Sequence, residues 1–162
     1  AALPSLSHST GNAIQAASGI AGFDLVVSSC VLSQILDSLQ RELRPWRDEY
    51  HSIVPELRNE HLRLLTHCTR PGGTLLFITD FVSSDSAPAL HTVGHQELPR
   101  LVRQFIEQRN FFTGLNPAVI SHILRTDVEL SQRVAQLEIT EPWIWNPGPR
   151  LYAVCGFVAS LV

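Results

Sequence analysis

Three polar residues follow directly on a short apolar run, and their side chains could do chemistry. Ser28, Ser29 and Cys30 come after FDLVV and before a helix-like apolar spacing, which predicts a strand, a tight turn and a helix start. An unbroken apolar run is typical of a strand buried on both faces of a parallel sheet. Because open α/β sheets bind ligands at the carboxyl ends of such strands, we expect these residues at a binding crevice. The simpler alternative is a strand end whose small residues let the next helix pack closely.

A further polar residue ends the other predicted strand. Asp80 closes the apolar run TLLFITD at 74–80, and we expect it at the same edge of the sheet. There its carboxylate could contact a substrate or accept a proton, although capping of the following turn is the simpler role. The segment at 81–97 is a long loop rich in Ser, Pro and His, and loops of that length are more often functional than not.

Two histidines have a spacing that could bind a metal. His91 and His95 stand four residues apart, as metal ligands on one helix face do. The residues between them form helices poorly and no third ligand is near in sequence, so we expect solvent-exposed loop histidines and predict no metal site. His61 falls on the apolar face of a predicted helix, where we expect it to be buried and hydrogen-bonded.

The elements that must position these residues follow one another in an uncommon order. Apolar spacing predicts the helices, and apolar runs bounded by turn residues predict the strands. In order, we predict a strand at 23–29, helices at 31–43 and 53–69, a strand at 74–80, helices at 98–109 and 116–126, and an antiparallel hairpin of strands at 132–145 and 150–160. The fold class predicted is α/β in one domain spanning 1–162, with a poorly defined N-terminal segment at 1–22.

The hairpin carries an aromatic pair. Trp143 and Trp145 alternate onto one face of its first strand. Such a pair could bind a flat substrate, but it more often packs against a helix or a neighbouring subunit.

Composition excludes several classes of protein. Hydrophobic residues make up 44% of the 162 and charged residues 17%, which excludes a disordered chain. Twelve basic residues against fifteen acidic ones leave no broad basic surface, so we expect no nucleic acid partner. No apolar run approaches the ~18 residues that span a bilayer, and no signal peptide is recognisable. Three cysteines without metal-ligand spacing are typical of reduced thiols in a cytoplasmic protein.

The order of elements resembles the C-terminal half of class I S-adenosylmethionine-dependent methyltransferases. The residues that carry the likeness are FDLVVSS and VLSQIL within 23–36, LRLLTHCTRPGGTLLFITD at 62–80, and the closing hairpin at 132–160. In that family FDLV is the fourth strand, RPGGTLLF leads into the fifth, and the final strand inserts antiparallel to the rest. The resemblance implies a partial Rossmann-like, doubly wound sheet of about four strands, two parallel plus the antiparallel hairpin, flanked by helices.

The resemblance also implies a transferase activity with S-adenosylmethionine as cofactor and an unknown methyl acceptor. Residues expected to border the cofactor are Ser28, Ser29, Cys30 and Val31. Residues expected to face the substrate are Gln34, Asp80, Phe81 and His91. The family binds its cofactor through a Gly-rich turn after the first strand and an acidic residue ending the second, and this chain has no counterpart of either. We therefore expect a domain that is not competent alone.

The missing neighbour of the first strand has a structural consequence. In the family, the strand matching 23–29 pairs with the strand that carries the Gly-rich turn. Without it, 23–29 becomes a bare apolar edge that invites pairing with another chain. We expect a homo-oligomer, formed through this edge or through the hairpin at 132–160, or else pairing with a missing partner fragment. The alternative function is a non-catalytic Rossmann-like module for oligomerisation or interaction.

Overall fold

The computed structural model describes residues 22–43 and 48–162, so the segment at 1–21 lies outside the described residues. Within them the chain forms an α/β domain with one mixed sheet flanked by helices, as the sequence predicts. The strands are β1 (Phe23–Ser29), β2 (Thr69–Ser83), β3 (Val134–Ile139), β4 (Trp143–Trp145) and β5 (Tyr152–Leu161). The helices are α1 (Val31–Leu43), α2 (Asp48–Cys68), α3 (Leu98–Glu107), α4 (Pro117–Thr126) and α5 (Leu130–Arg133), with a 3₁₀ turn at Pro88–His91.

The sheet has the strand order β1-β2-β5-β3, and β4 also pairs with β5. β1 and β2 are parallel, whereas β5 runs antiparallel to β2, β3 and β4. The predicted hairpin is therefore present, but its first arm consists of two strands. Between them, the backbone N–H and the Oγ1 of Thr140 hold the backbone of Gly156, and Pro142 has no N–H to give to a ladder.

Burial alternates along residues 74–78 of β2, whereas residues 79–83 of β2 and 153–157 of β5 are buried at consecutive positions. Leu75 and Phe77 on β2 pair in register with Ala159 and Phe157 on β5, and all four are at most 1% exposed. The unbroken apolar runs predict strands buried on both faces. This prediction is wrong for β1 and the first half of β2, where one face is exposed, and it agrees with the consecutive burial at 79–83 and 153–157.

The uncovered side, which we call the open face, is apolar at its β1 edge. Leu25 and Val27 are 57% and 52% exposed, and their neighbours in register on β2 are Thr74 and Leu76. Ile78 continues this face toward the carboxyl end of β2, and Val158 continues it onto β5. Within residues 22–43 and 48–162, β1 pairs with a strand on one side only, so in this part of the chain it is an edge strand with an apolar surface, as the resemblance implies.

The helix α2 is longer than its apolar spacing predicts. It begins at Asp48 rather than near 53, so residues 48–52 extend the helix beyond its predicted start. Asp48 and Glu49 lie in its first turn, where negative charge is favourable to the helix dipole. Pro55 lies inside the helix. No helix within residues 22–43 and 48–162 is long and apolar enough to cross a membrane.

The loop that follows α3 packs closely against α1 and α2. At Gly114, which has φ of +87°, an added Cβ would lie 2.5 Å from Val54 Cγ1 and 3.0 Å from Leu36 Cδ1. Gly148, in the turn between β4 and β5, has φ of +141° with nothing within 4 Å of an added Cβ. Both positions disfavour an L side chain, but only Gly114 also lacks the space for one.

We therefore expect Gly114→Ala to destabilise the fold far more than Gly148→Ala. Strain and overpacking together should lower the free energy of unfolding by roughly 3 kcal/mol for Gly114→Ala, against roughly 1 kcal/mol for the strain at Gly148 alone. Urea denaturation of the two variants and the wild type measures the difference. Equal losses would contradict the close packing of this loop on Val54.

Candidate functional site

A cavity of about 640 Å³ opens at the carboxyl end of β2. Such a volume suits a small-molecule ligand. Five parts of the chain form its walls: one side of α1, Tyr50 on α2, the end of β2 with the turn after it, the loop following α3, and the start of β5. The position is the ligand crevice expected for the carboxyl edge of an open α/β sheet.

Asp80 lies inside this cavity and is only 7% exposed. Ser33, in the first turn of α1, donates a hydrogen bond from its hydroxyl to Asp80 Oδ1, and its Oγ also lies 2.9 Å from the carbonyl oxygen of Cys30. The sequence places Asp80 at this edge, and the structure puts its carboxylate in the cavity rather than in a turn cap. A buried carboxylate with donors on one oxygen can accept a further hydrogen bond from a ligand.

Cys30 stands beside Asp80 and is held as a neutral thiol. Burial raises the pKa of Cys30 to about 11, and the negative charge of Asp80 and a hydrogen bond to its carboxylate contribute to the same shift. Because only the thiolate is a nucleophile, Cys30 is inert at neutral pH. Its φ of +53° makes the sharp turn from β1 into α1. Its role is therefore structural, in agreement with the absence of an adjacent base in the sequence.

Ser28 points to the covered face of the sheet instead of the crevice. Ser28 is 2% exposed, and its Oγ lies 3.0 Å from Nε2 of His61 on α2. His61 also meets the ring of Phe77 edge-on at 6.1 Å. Burial lowers the pKa of His61 to about 4, so the imidazole is neutral at physiological pH. This pair joins α2 to β1. The hydrogen bond expected for His61 is present, and its side chain is part-buried rather than fully buried.

The other residues predicted from the sequence lie at the protein surface, in the cavity wall or in the core. Ser29 and Val31 are exposed, and Ser29 continues the open face of β1. Gln34 lines the cavity. Phe81 is fully buried in the core and does not line the cavity, although its carbonyl oxygen accepts a hydrogen bond of 2.7 Å from the N–H of Phe112, which does.

His91 ends the 3₁₀ turn, is exposed, and does not line the cavity. The described residues bring no three His, Cys, Asp or Glu side chains together as a metal-binding group. Trp145 packs its ring 5.9 Å from that of Tyr152, a cavity-lining residue, and Trp143 comes within 3.7 Å of an added Cβ at Gly156. Both contacts are with residues of the neighbouring strand β5, and Trp145 remains 45% exposed.

Sequence reasoning missed the basic and aromatic side of the cavity. These residues come from segments distant in sequence: Arg41 on α1, Arg109, Phe111 and Phe112 after α3, and Arg150 before β5. Arg41 pairs with Asp37 at 2.6 Å and Arg150 with Asp85 at 2.7 Å. One signal was available, since α3 ends at Glu107 and the position after its cap, where glycine is the usual residue, is Arg109.

Comparisons with protein-family models, with curated proteins and with solved structures find no match for this chain. The architecture is therefore established by the structure alone, and the methyltransferase resemblance stays a prediction from the motifs.

The Ser28–His61 pair should make stability depend on pH in a defined window. Below pH 6.5 the unfolded chain protonates His61, whereas the folded chain does so only near pH 4. The free energy of unfolding should thus fall as pH drops from about 6.5 toward 4, by up to about 1.4 kcal/mol per pH unit from this residue. Urea denaturation across that range should show a shallower slope for His61→Gln, and an unchanged slope for His122→Gln, an exposed histidine. Parallel slopes in all three proteins would contradict a buried neutral His61.

Proposed function

We propose that this chain is the acceptor-binding part of an S-adenosylmethionine-dependent methyltransferase-like domain. The observation that carries the proposal is the cavity at the carboxyl end of β2, which holds the buried carboxylate of Asp80 next to the β1–α1 turn. In the family that the motifs resemble, this part of the sheet faces the methyl acceptor. The substrate itself is a small molecule, in keeping with the cavity volume.

In this proposal the main contribution of the chain to the reaction is to position the methyl acceptor. Methyl transfer needs an acceptor nucleophile held in line with the activated methyl group, so positioning supplies much of the rate. Asp80 would accept a hydrogen bond, and then the proton, from the acceptor's hydroxyl or amine. Ser33 would fix the orientation of the carboxylate through the bond it already donates.

The fit to the methyl donor is partial. Of the four residues expected to border it, Ser29 and Val31 are exposed and available, whereas Ser28 is engaged with His61 and Cys30 with Asp80. In the described ranges 22–43 and 48–162, no Gly-rich turn follows a strand in the way that the family's cofactor turn does. The described residues therefore supply one wall of a donor site, and we derive no catalytic step through the donor.

We expect S-adenosylmethionine to bind this chain weakly, with a dissociation constant in the millimolar range, because only one wall is present. Backbone amide chemical shifts followed by NMR during a titration should change at Ser29, Cys30 and Val31. Ser29→Trp should abolish these changes by filling the open side of the turn, while Ser131→Trp, at an exposed position on α5, should leave them intact.

The absence of shift changes at millimolar S-adenosylmethionine would overturn the methyltransferase proposal. Changes that persist in Ser29→Trp, or that lie away from the β1–α1 turn, would overturn the placement of the donor.

A second candidate function is a non-catalytic module that assembles with another copy of itself. The specific observation in its favour is the apolar surface of β1, where Phe23, Leu25 and Val27 are each about half exposed. The other edge strand, β3, is blunted by exposed Gln136 and Glu138, which favours β1 over the hairpin as the interface. Two β1 strands related by a twofold axis would pair antiparallel, a closed and self-complementary contact.

Sedimentation velocity tests this assembly. The wild type should sediment as a dimer at tens of micromolar, and Val27→Arg should sediment as a monomer because the charge cannot be buried in the interface. Val128→Arg is the matched control, since Val128 is 78% exposed on the turn before α5. A monomeric wild type, or equal behaviour of the two variants, would contradict assembly through β1.

We further propose a cytoplasmic location. All three cysteines are free, two of them buried. Free thiols are usual in the reducing cytoplasm and uncommon in secreted proteins.

A further inference from the structure

The cavity is lined by equal numbers of acidic and basic side chains, but not all of them form ion pairs with one another. Three carboxylates face three guanidinium groups. The six residues are Asp37, Asp80, Asp85, Arg41, Arg109 and Arg150. Two ion pairs, Arg41–Asp37 and Arg150–Asp85, use four of them. Among residues 22–43 and 48–162, neither Asp80 nor Arg109 forms an ion pair, with each other or with any further group. One negative and one positive charge thus remain in the same cavity without a counter-charge.

The backbone at Arg109 gives a second, independent observation. α3 ends in two reverse hydrogen bonds, from the N–H of Asn110 to the carbonyl of Phe105 at 2.8 Å and from the N–H of Arg109 to that of Ile106 at 3.1 Å. This pattern puts Arg109 at the position after the helix cap, with φ of +56°. Glycine is the usual residue there, because a side chain is strained in the left-handed region. The chain instead holds an arginine whose side chain lines the cavity.

The apolar part of the cavity wall combines aromatic rings with two leucines. Its residues are Phe111, Phe112, Tyr50, Tyr152, Leu36 and Leu115. The ring of Trp145 packs against Tyr152. Flat ligands stack favourably on such rings. Asn110 and Phe112 are fixed by hydrogen bonds to the carbonyls of Ser86 and Phe81, so the wall is anchored to the end of β2.

We propose that the cavity binds a zwitterionic small molecule with a flat, aromatic frame, its cationic amine on Asp80 and its acid group on Arg109. The ligand then supplies the two counter-charges that the cavity lacks. This proposal deepens the proposed function, since it names the chemical class of the molecule in the acceptor cavity, and an amine held on Asp80 is a group that can be methylated once it loses a proton. The binding of the zwitterion does not itself require a methyl donor.

Four probes test the class by isothermal titration calorimetry. Two are zwitterions with a short and a long separation of charge, L-phenylalanine and 4-(aminomethyl)benzoate. The other two carry one charge each, benzylamine and benzoate. At least one zwitterion should bind about ten-fold more tightly than either single-charge probe, a difference of about 1.4 kcal/mol. Equal affinities for all four, or no binding by both zwitterions, would overturn the proposal.

Variants assign the two ends of the ligand. In Arg109→Gln, the zwitterion should bind no more tightly than benzylamine. In Asp80→Asn, the zwitterion should bind no more tightly than benzoate. Arg103→Gln, an exposed arginine on α3 outside the cavity lining, should leave every affinity unchanged. If Arg103→Gln weakens the zwitterion as much as Arg109→Gln does, the effect is one of overall charge and the assignment to Arg109 is wrong.

Arg109→Gly separates binding from a structural role. If Arg109 serves the ligand, this variant should unfold at a higher temperature than the wild type, because glycine relieves the left-handed strain, while the zwitterion advantage is lost. If Arg109 serves only the carboxyl end of α3, Arg109→Gln should unfold at a lower temperature and bind the probes as the wild type does, which overturns the proposal. Shift changes at Ser29–Val31 with S-adenosylmethionine should be the same in Arg109→Gln, so failure of the donor site and failure of the zwitterion site are distinguishable.

Discussion

β2 pairs with β1 on one side in parallel and with β5 on the other side antiparallel, and this double pairing governs the rest of the fold. A parallel partner requires a connection that crosses back over the sheet, which α1 and α2 provide between β1 and β2. An antiparallel partner needs no such crossing. The helices of that connection therefore lie over one face of the sheet, and the open face on the other side follows from the topology.

The same pairing places the candidate site. A strand that is central and parallel to its neighbour ends beside the turn of that neighbour, so Asp80 at the end of β2 meets Ser33 and Cys30 at the start of α1. These contacts join residues about 47 positions apart in sequence. The carboxyl ends of parallel strands lie at the same edge of the sheet, where ligands bind, and this general rule is enough to predict the proximity. For this reason the sequence alone identifies Asp80 as a candidate site residue.

What the sequence could not predict has a physical cause in each case. The bounds of β1 and α1 agree with prediction because local signals define both ends, but the aromatic and basic wall of the cavity comes from loops whose positions depend on tertiary contacts. Arg109 is a clear example. Its place in the cavity results from the reverse hydrogen bonds that end α3 and from Gly114, where only a glycine leaves room for Val54 and Leu36. Such a fit between distant segments leaves little local pattern. The burial of Ser28 likewise depends on which face α2 covers.

The open face and the cavity meet at one edge of the sheet, and this links the two functions proposed. By strand alternation Ser29 continues the face of Leu25 and Val27, while Asp80 continues that of Ile78 on the neighbouring strand. A chain that paired with β1 would bring its own residues next to Ser29 and Val31, at the incomplete wall of the donor site. Assembly and completion of the proposed donor site would then be one event, because the apolar surface that would drive pairing is continuous with the edge at which the cavity opens. If assembly and donor binding used separate surfaces, the two would be independent. A charged residue introduced on the β1 face would then prevent assembly without affecting the edge at which the donor binds.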